Sequence, residues 1–211
     1  MRKAISLLLA AVLLLALAAC SGGAPSDSEA RKAQLAVFDT VCSAQEAYAL
    51  AKQENLPLIE LTGCTGGRET FEAFAQKAEK GDPAGVLCAF YYVLDREHMS
   101  EELYEQEKDD YPKLFFYDIE FDGKTYSVKI RESSEQAIDS QKKHRYLRRY
   151  TGKLPETALF SDYEYYVLTD DPDVTWEEIE AGIFSSRSGA SIPHTTVFRD
   201  LSGPKEEAET D

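Results

Sequence analysis

Between Leu114 and Arg131 the sequence reads LFFYDIEFDGKTYSVKIR, and this stretch decides the fold. Asp122-Gly123 is a preferred dipeptide for a two-residue type I′ turn, so it predicts a β-hairpin. If Phe121 lies opposite Lys124, six apolar residues fall on one face of the hairpin, and the other face is polar near the turn and mixed further out. The strand pairs predicted in this register are Ile119 with Tyr126, Tyr117 with Val128, and Phe115 with Ile130.

The sequence signals for helices lie mainly before the hairpin, and the further predicted strands follow it. Ser43-x-x-Glu46 and Thr175-x-x-Glu178 are capping boxes, which predict helix starts. Residues 56–61 are expected to form a strand at a sheet edge, because Pro57 cannot donate a ladder hydrogen bond. This order predicts a single α+β domain, an antiparallel sheet with helices packed mainly from the N-terminal half.

The first twenty residues have the pattern of an export signal. Arg2 and Lys3 precede an apolar run of about 16 residues, shorter than the roughly 20 that span a bilayer. The run ends in small residues followed by Cys20, and this ending resembles the signal of bacterial lipoproteins. The resemblance implies that Cys20 becomes the N-terminus and carries diacylglycerol and palmitate. Two or more acyl chains anchor a protein stably at the outer face of the cell membrane.

Composition suggests four segments. Residues 1–19 are expected to be the lipoprotein signal peptide, and residues 20–34 the lipidated cysteine with a flexible tether. Residues 35–201 would form the α+β ectodomain. Residues 202–211 would form an acidic disordered tail.

The mature chain is strongly acidic. The signal holds two of the 23 Lys and Arg residues, so 21 basic residues remain against 38 acidic ones, a net charge of −17. Nucleic-acid binding is therefore excluded, because its affinity comes largely from cationic contacts to phosphate. Repulsion from anionic lipid leaves the lipid anchor as the expected membrane contact.

Three cysteines remain once Cys20 is lipidated: Cys42, Cys64 and Cys88. An exported protein can hold a disulfide, and an odd count leaves at least one thiol. The sequence does not choose between one disulfide and three thiols. The spacings fit no zinc site, and no metal or other cofactor is predicted.

Two segments invite a chemical interpretation. Asp118-x-Glu120-x-Asp122-Gly123 looks like the start of a calcium loop, but Lys129 stands where that loop needs a bidentate glutamate. Cys64, in a glycine-rich turn before a predicted helix, could be a reactive thiol near the helix N-terminus. A hairpin face and a plain turn explain the same residues and are preferred.

Other segments could form binding surfaces. The tyrosines at 91–92 and 163–166 could bind sugars, and the basic run 142–149 could meet an acidic ligand, although sheet packing and a solvated face account for both. The three histidines are far apart in sequence. The segment 185–194, which ends at His194, could be a functional loop, but its residues also favour irregular backbone.

Several ordered segments, among them Tyr91-Tyr92-Val93-Leu94-Asp95 and Val174-Thr175-Trp176-Glu177-Glu178, are similar to a group of uncharacterised surface lipoproteins of Gram-positive, clostridia-like bacteria. The resemblance implies an anchored, exported protein and carries no activity. We expect a non-catalytic accessory or binding module, whose partner is an unknown ligand or protein of the cell envelope. The alternative is a small wall-directed hydrolase with paired carboxylates. The chain is short for a two-lobed transporter component.

Overall fold

The computed structural model describes residues 27–185 and 191–204. Cys20 and the signal lie outside these residues. The described chain is an α+β domain, as predicted. It has nine strands, five α-helices and a short 3-10 helix at Arg96–His98. The helices are α1 (Asp27–Phe38), α2 (Ala44–Gln53), α3 (Arg68–Glu79), α4 (Glu101–Glu107) and α5 (Trp176–Ile183). The strands are β1 (Leu58–Glu60), β2 (Gly63–Gly66), β3 (Ala84–Tyr92), β4 (Lys113–Phe121), β5 (Tyr126–Glu132), β6 (Ser140–His144), β7 (Tyr146–Lys153), β8 (Phe160–Thr169) and β9 (His194–Pro204).

The strands form two sheets. The larger has the order β2-β1-β3-β4-β5-β6, and the smaller has the order β7-β8-β9. All neighbouring pairs are antiparallel except β1 and β3, which are parallel. The prediction that residues 56–61 form an edge strand is wrong, because β1 lies between β2 and β3. Pro57 precedes the strand, and its carbonyl accepts from the Ala89 amide at 2.8 Å.

The hairpin is present, but its register differs from the predicted one by two residues. Phe121 pairs with Tyr126 instead of Lys124, and Ile119 pairs with Val128. The loop is longer because one carboxylate oxygen of Asp122 accepts hydrogen bonds from the amides of Lys124 and Thr125, each at 2.8 Å. A shift of two residues preserves the strand alternation, so the predicted apolar face is kept.

One face of the large sheet packs against α1 and α2. The capping box is formed as predicted: the Ser43 side chain accepts from the Glu46 amide at 3.3 Å, and the Ser43 amide donates back to Glu46 at 3.0 Å. The α2 residues on this face are alanines, so the helix approaches the strands closely. The buried residues of this layer are Val37, Phe38, Ala44, Ala47, Ala51, Leu56, Leu58, Leu87, Ala89, Leu114 and Phe116.

The opposite face of the large sheet packs against α3 and the small sheet. Phe71 of α3 stacks on Phe198 of β9, with ring centroids 4.5 Å apart, and meets Tyr166 of β8 edge-on at 4.9 Å. The outer face of the small sheet is covered by α5, whose Ile179 packs on Val167. The second predicted capping box, at Thr175 and Glu178, starts this helix. The layers therefore run helix, large sheet, small sheet with α3, and helix.

Two seams join the sheets on either side of this interface. The chain passes from β6 to β7 through Arg145, whose amide donates to the Thr169 carbonyl at 3.2 Å and to the Asp170 carboxylate at 3.2 Å. On the other side, the Leu201 amide donates to the Thr62 carbonyl at 3.0 Å. The sheets are thus tied through backbone groups at both margins.

The structure moves the expected segment boundaries. Contacts divide the chain into two units between Lys32 and Ala33. Residues 27–34 of the expected tether are helical in α1, and residues 202–204 of the expected tail belong to β9. Residues 205–211 lie outside the described residues. In the part of the chain that is described, no helix has the length and apolar character required to cross a membrane.

Arg131 at the end of β5 is a buried cation, with 2% of its surface exposed. Its guanidinium donates to the Phe38 carbonyl and to the Thr40 carbonyl at 2.9 Å, at the C-terminal end of α1. It also donates to the Ser133 carbonyl at 3.3 Å. Carbonyl oxygens at a helix C-terminus carry partial negative charge, so they replace water around the guanidinium.

Candidate ligand-binding cleft between the two sheets

Paired carboxylates are the feature that a wall-directed hydrolase would need, and the small sheet holds such a pair. Glu164 of β8 and Asp200 of β9 lie directly opposite each other in the small sheet. Both carboxylates bind Arg68: Glu164 at 2.7 Å, and Asp200 through the other terminal nitrogen. Arg149 donates to the second oxygen of Glu164, also at 2.7 Å. The pair is therefore held by two guanidinium groups.

Acid–base catalysis needs a carboxyl group that is protonated near neutral pH. Burial opposes ionisation of Glu164, but the hydrogen bonds from Arg68 and Arg149 outweigh it and lower the pKa of Glu164. This carboxyl group is therefore an anion at neutral pH and has no proton to donate. The arrangement ties α3 to the small sheet.

The glycine-rich segment 63–67, expected to be a turn, forms strand β2 and the N-cap residue of α3. The Cys64 amide donates to Asp200 Oδ1 at 3.1 Å, and the Cys64 thiol lies 3.1 Å from the Gly66 carbonyl. Burial raises the pKa of Cys64. A raised pKa disfavours the thiolate, so the surroundings of Cys64 do not favour a reactive thiol.

The cysteines are distributed over the two cores of the large sheet. Cys42, Cys64 and Cys88 are thiols that form no disulfide. Cys42 packs in the layer under α1 and α2, whereas Cys64 and Cys88 pack on the opposite face. Burial, and then the charge of Glu46, raise the pKa of Cys42.

The acidic segments serve the fold. Asp118 is buried on the face that packs under α1 and α2, and Asp122 caps the hairpin turn, so the calcium interpretation is replaced by a structural one. In the turn before α5, Asp171 accepts from the Asp173 amide at 2.9 Å. Among the described residues, no group of three or more His, Cys, Asp or Glu side chains is placed to hold a metal ion.

His144 lies between a hydroxyl and a carboxylate. Its Nε2 is 3.0 Å from Thr195 Oγ1, and its Nδ1 is 3.6 Å from Asp170 Oδ2, longer than a hydrogen bond. Burial lowers the pKa of His144, with Asp170 opposing. His144 and Thr195 retain about one-twentieth of their exposure (5% and 6%), so this trio reinforces the β6–β7 crossing and presents no open nucleophile.

A cleft of about 420 Å³ opens between the two sheets, within the size range of small-molecule sites. Five of its eleven lining residues are aromatic side chains from both sheets and from α5. They are Phe90, Tyr92, Tyr117, Tyr165 and Trp176. Trp176 stacks on Tyr165 with ring centroids 4.4 Å apart and an interplanar angle of 19°.

The polar side chains of the cleft are cationic or neutral. Arg199, Lys142 and His194 line it, and none of the described lining residues is an aspartate or a glutamate. Arg199 Nη2 donates to the Glu60 carbonyl at 2.9 Å, which fixes the guanidinium between the sheets. Its Nε is buried and has no hydrogen-bond partner among the described residues.

The tyrosines surround this guanidinium. Burial raises the pKa values of Tyr92, Tyr117 and Tyr165, and the positive charge of Arg199 opposes the rise at each of them. Their hydroxyls are therefore neutral and can donate or accept hydrogen bonds at physiological pH. The cleft combines ring faces, neutral hydroxyls and positive charge.

The structure brings together segments that the sequence suggested separately. Tyr92, Tyr165 and Lys142, named as parts of tyrosine and basic surfaces, all line this cleft. Arg199 was missed, because a lone arginine in a strand gives no signal in the sequence. Of the segment 185–194, residues 186–190 lie outside the described residues, and His194 lines the cleft.

No protein-family model, curated protein or solved structure matches this chain.

Proposed function

We propose that this protein is a lipid-anchored lipoprotein on the extracytoplasmic face of the cell membrane, and that its domain is a non-catalytic module that binds a small ligand of the cell envelope. The observation that carries the binding proposal is the cleft between the sheets. Aromatic rings from both sheets and from α5 line it, and its cationic and hydroxyl groups converge from strands of both sheets. Concave sites of this composition are the usual small-molecule sites of proteins.

The carboxylates support binding over hydrolysis. Glu164 and Asp200 are neighbours, but Arg68 holds both, and Arg68 and Arg149 lower the pKa of Glu164. A retaining or inverting hydrolase needs one protonated carboxyl group beside one ionised carboxylate. We therefore rank the wall-directed hydrolase second.

The binding proposal is tested with the detergent-solubilised full-length protein. Trp176 is the only tryptophan of the chain, and it lines the cleft, so its fluorescence reports directly on occupancy. Wall fragments, sugars, peptides and metal salts are titrated, with thermal unfolding as a second readout. A ligand that binds is expected to change the fluorescence and raise the unfolding temperature. Turnover of wall fragments without any stabilising ligand would favour the hydrolase.

The anchor is tested by labelling living bacteria with an alkyne fatty acid. The wild-type protein is expected to take up the label and to sediment with membranes. Cys20→Ser should abolish labelling, because it removes the acceptor thiol. Cys42→Ser is the matched control and should stay labelled, since Cys42 packs inside the domain. Equal labelling of the wild type and Cys20→Ser would contradict the anchor.

A further inference from the structure

We propose that the cleft selects ligands that combine a single ring with an acidic group, and this inference rests on the proposed binding function. The charge of the cleft is opposite to that of the protein. The chain has a formal net charge of −15, yet the charged residues that line the cleft are Arg199 and Lys142. In a domain with this excess of carboxylates, a cleft whose described lining contains two cations and no carboxylate is a specific arrangement.

The cations of the cleft also have no carboxylate partner within the described part of the chain. Within the described residues, neither Arg199 nor Lys142 forms an ion pair with a carboxylate, whereas Arg68 and Arg149 bind Glu164. A cation that already has a carboxylate partner gains little from a second anion. An unpaired one in a partly desolvated cleft gains a charge-assisted hydrogen bond.

Arg199 is positioned to orient this charge-assisted hydrogen bond. The hydrogen bond from Nη2 to the Glu60 carbonyl fixes the plane of the guanidinium, so little side-chain entropy is lost when an anion binds. Lys142 approaches from β6 as a mobile point charge. His194 donates from Nδ1 to the Ile192 carbonyl at 2.7 Å, which leaves Nε2 as its remaining polar atom.

The ring requirement comes from the aromatic wall. Tyr165 and Trp176 are stacked nearly parallel, and both line the cleft. The stacked pair is stiff, and its faces favour a flat partner, either an aromatic ring or the apolar face of a sugar ring. Inorganic phosphate or a linear acid would satisfy the cations and leave these faces wet.

Ring-bearing acids come from two chemical sources, sugar acids and aromatic acids, and the experiment separates them. Trp176 fluorescence of the full-length protein is titrated with two matched pairs: glucuronate with glucuronamide, and benzoate with benzamide. Each pair keeps the ring and removes the charge. At least one acid is expected to bind about tenfold more tightly than its amide, the value of a hydrogen bond to a charged group. The acid that binds identifies the source.

Substitutions of the two cleft cations then show which of them binds the acidic group of the ligand. Lys142→Gln is expected to weaken binding of the acid about threefold to tenfold and to leave binding of the amide unchanged. Lys143→Gln is the control, because the next residue of β6 points to the other face of the strand and does not line the cleft. Arg199→Gln should weaken binding further, and thermal unfolding of the variant checks that its fold is intact.

The outcomes separate this inference from the function on which it rests. If amides bind as tightly as acids, or if only uncharged wall fragments bind, the charge selection is wrong and the binding module stands. If neither acid binds, the inference also fails. If no compound of any charge changes the fluorescence or the unfolding temperature, the binding function fails with it.

Discussion

Trp176 of α5 lies flat on Tyr165 of β8, with ring centroids 4.4 Å apart, at the wall of a cleft that also holds Arg199. The Tyr150 hydroxyl donates to the Val174 carbonyl at 2.7 Å and so fixes the chain just before α5. The helix that covers the small sheet therefore also completes the candidate site, and sheet packing and ligand binding draw on the same residues.

Phe71 is expected to be a central contributor to stability. It is fully buried and contacts Phe74, Tyr166 and Phe198. Phe71→Ala should lower the free energy of unfolding by about 3–5 kcal/mol, measured by urea denaturation. Phe184→Ala is the control: Phe184 is 81% exposed, and its loss should change stability by less than about 0.5 kcal/mol. Similar losses of unfolding free energy for the two variants would contradict the packing of Phe71.

Gly63→Ala should be costlier than Gly81→Ala. Both glycines have positive φ, +138° at Gly63 and +81° at Gly81. A Cβ at Gly63 would lie 2.4 Å from Asp200 Oδ1, whereas a Cβ at Gly81 meets no atom within 4 Å. Gly81→Ala should cost only the backbone strain, about 1–3 kcal/mol, and Gly63→Ala this strain plus displacement of Asp200. Equal urea midpoints for the two variants would refute the close approach of β2 to Asp200.

His144 makes stability depend on pH. Burial lowers its pKa below the ordinary value of 6.5; Asp170 opposes this shift, and Lys142 and His194 reinforce it. The unfolded chain therefore binds a proton more readily than the folded chain, so stability is lost as the pH falls through and below 6.5. Thermal unfolding at pH 7.5 and 5.5 should show a smaller pH effect in His144→Gln than in the wild type. His98→Gln, at an exposed histidine, should behave as the wild type does.

Arg131→Met should be strongly destabilising although it replaces a charge with an apolar side chain. In the variant, the Phe38 and Thr40 carbonyls lose the hydrogen bonds that the guanidinium donates to them. Each unsatisfied buried group costs about 1–3 kcal/mol, which urea denaturation can measure. Lys143→Met, at an exposed position on β6, is the control. If Arg131→Met leaves the free energy of unfolding unchanged, water must reach these carbonyls.

The cysteines can be tested chemically for the absence of a disulfide. In guanidinium chloride, without reductant, a Cys20→Ser protein should release three equivalents of chromophore from a thiol-exchange reagent, from Cys42, Cys64 and Cys88. The folded protein should react slowly, because burial raises the pKa of Cys42 and Cys64, and Cys88 has no exposed surface. One equivalent in the denatured protein would indicate a disulfide.

The sequence predicts local elements well where a few adjacent residues determine them. The two capping boxes and the hairpin are formed, because each depends on residues within one turn. The hairpin register was wrong because the Asp122 side chain satisfies two loop amides and so favours a longer loop than the dipeptide alone suggests. Side-chain hydrogen bonding competes with backbone turn preference.

The cleft could not be predicted in the same way. Its cations, Lys142 and Arg199, come from different sheets, and its stacked rings come from β8 and α5. The order of strands across two sheets decides which of these residues meet, and no short-range pattern contains that information. Tyr92 and Tyr165 were noticed only as tyrosine clusters, because in strands tyrosine fills sheet surfaces as often as it forms sites.

The two seams between the sheets determine how the cleft can exchange its contents. Hydrogen bonds tie the sheets at the β6–β7 crossing, at Asp170, and at the far margin, at Thr62, so separating the walls would break them. Under the proposed binding function, we expect the free and occupied states to share the backbone of the described residues, with little binding energy spent on rearrangement. The association rate would then follow diffusion and the local charge, and the residence time the contacts made inside the cleft. A ligand would enter and leave without separation of the two sheets.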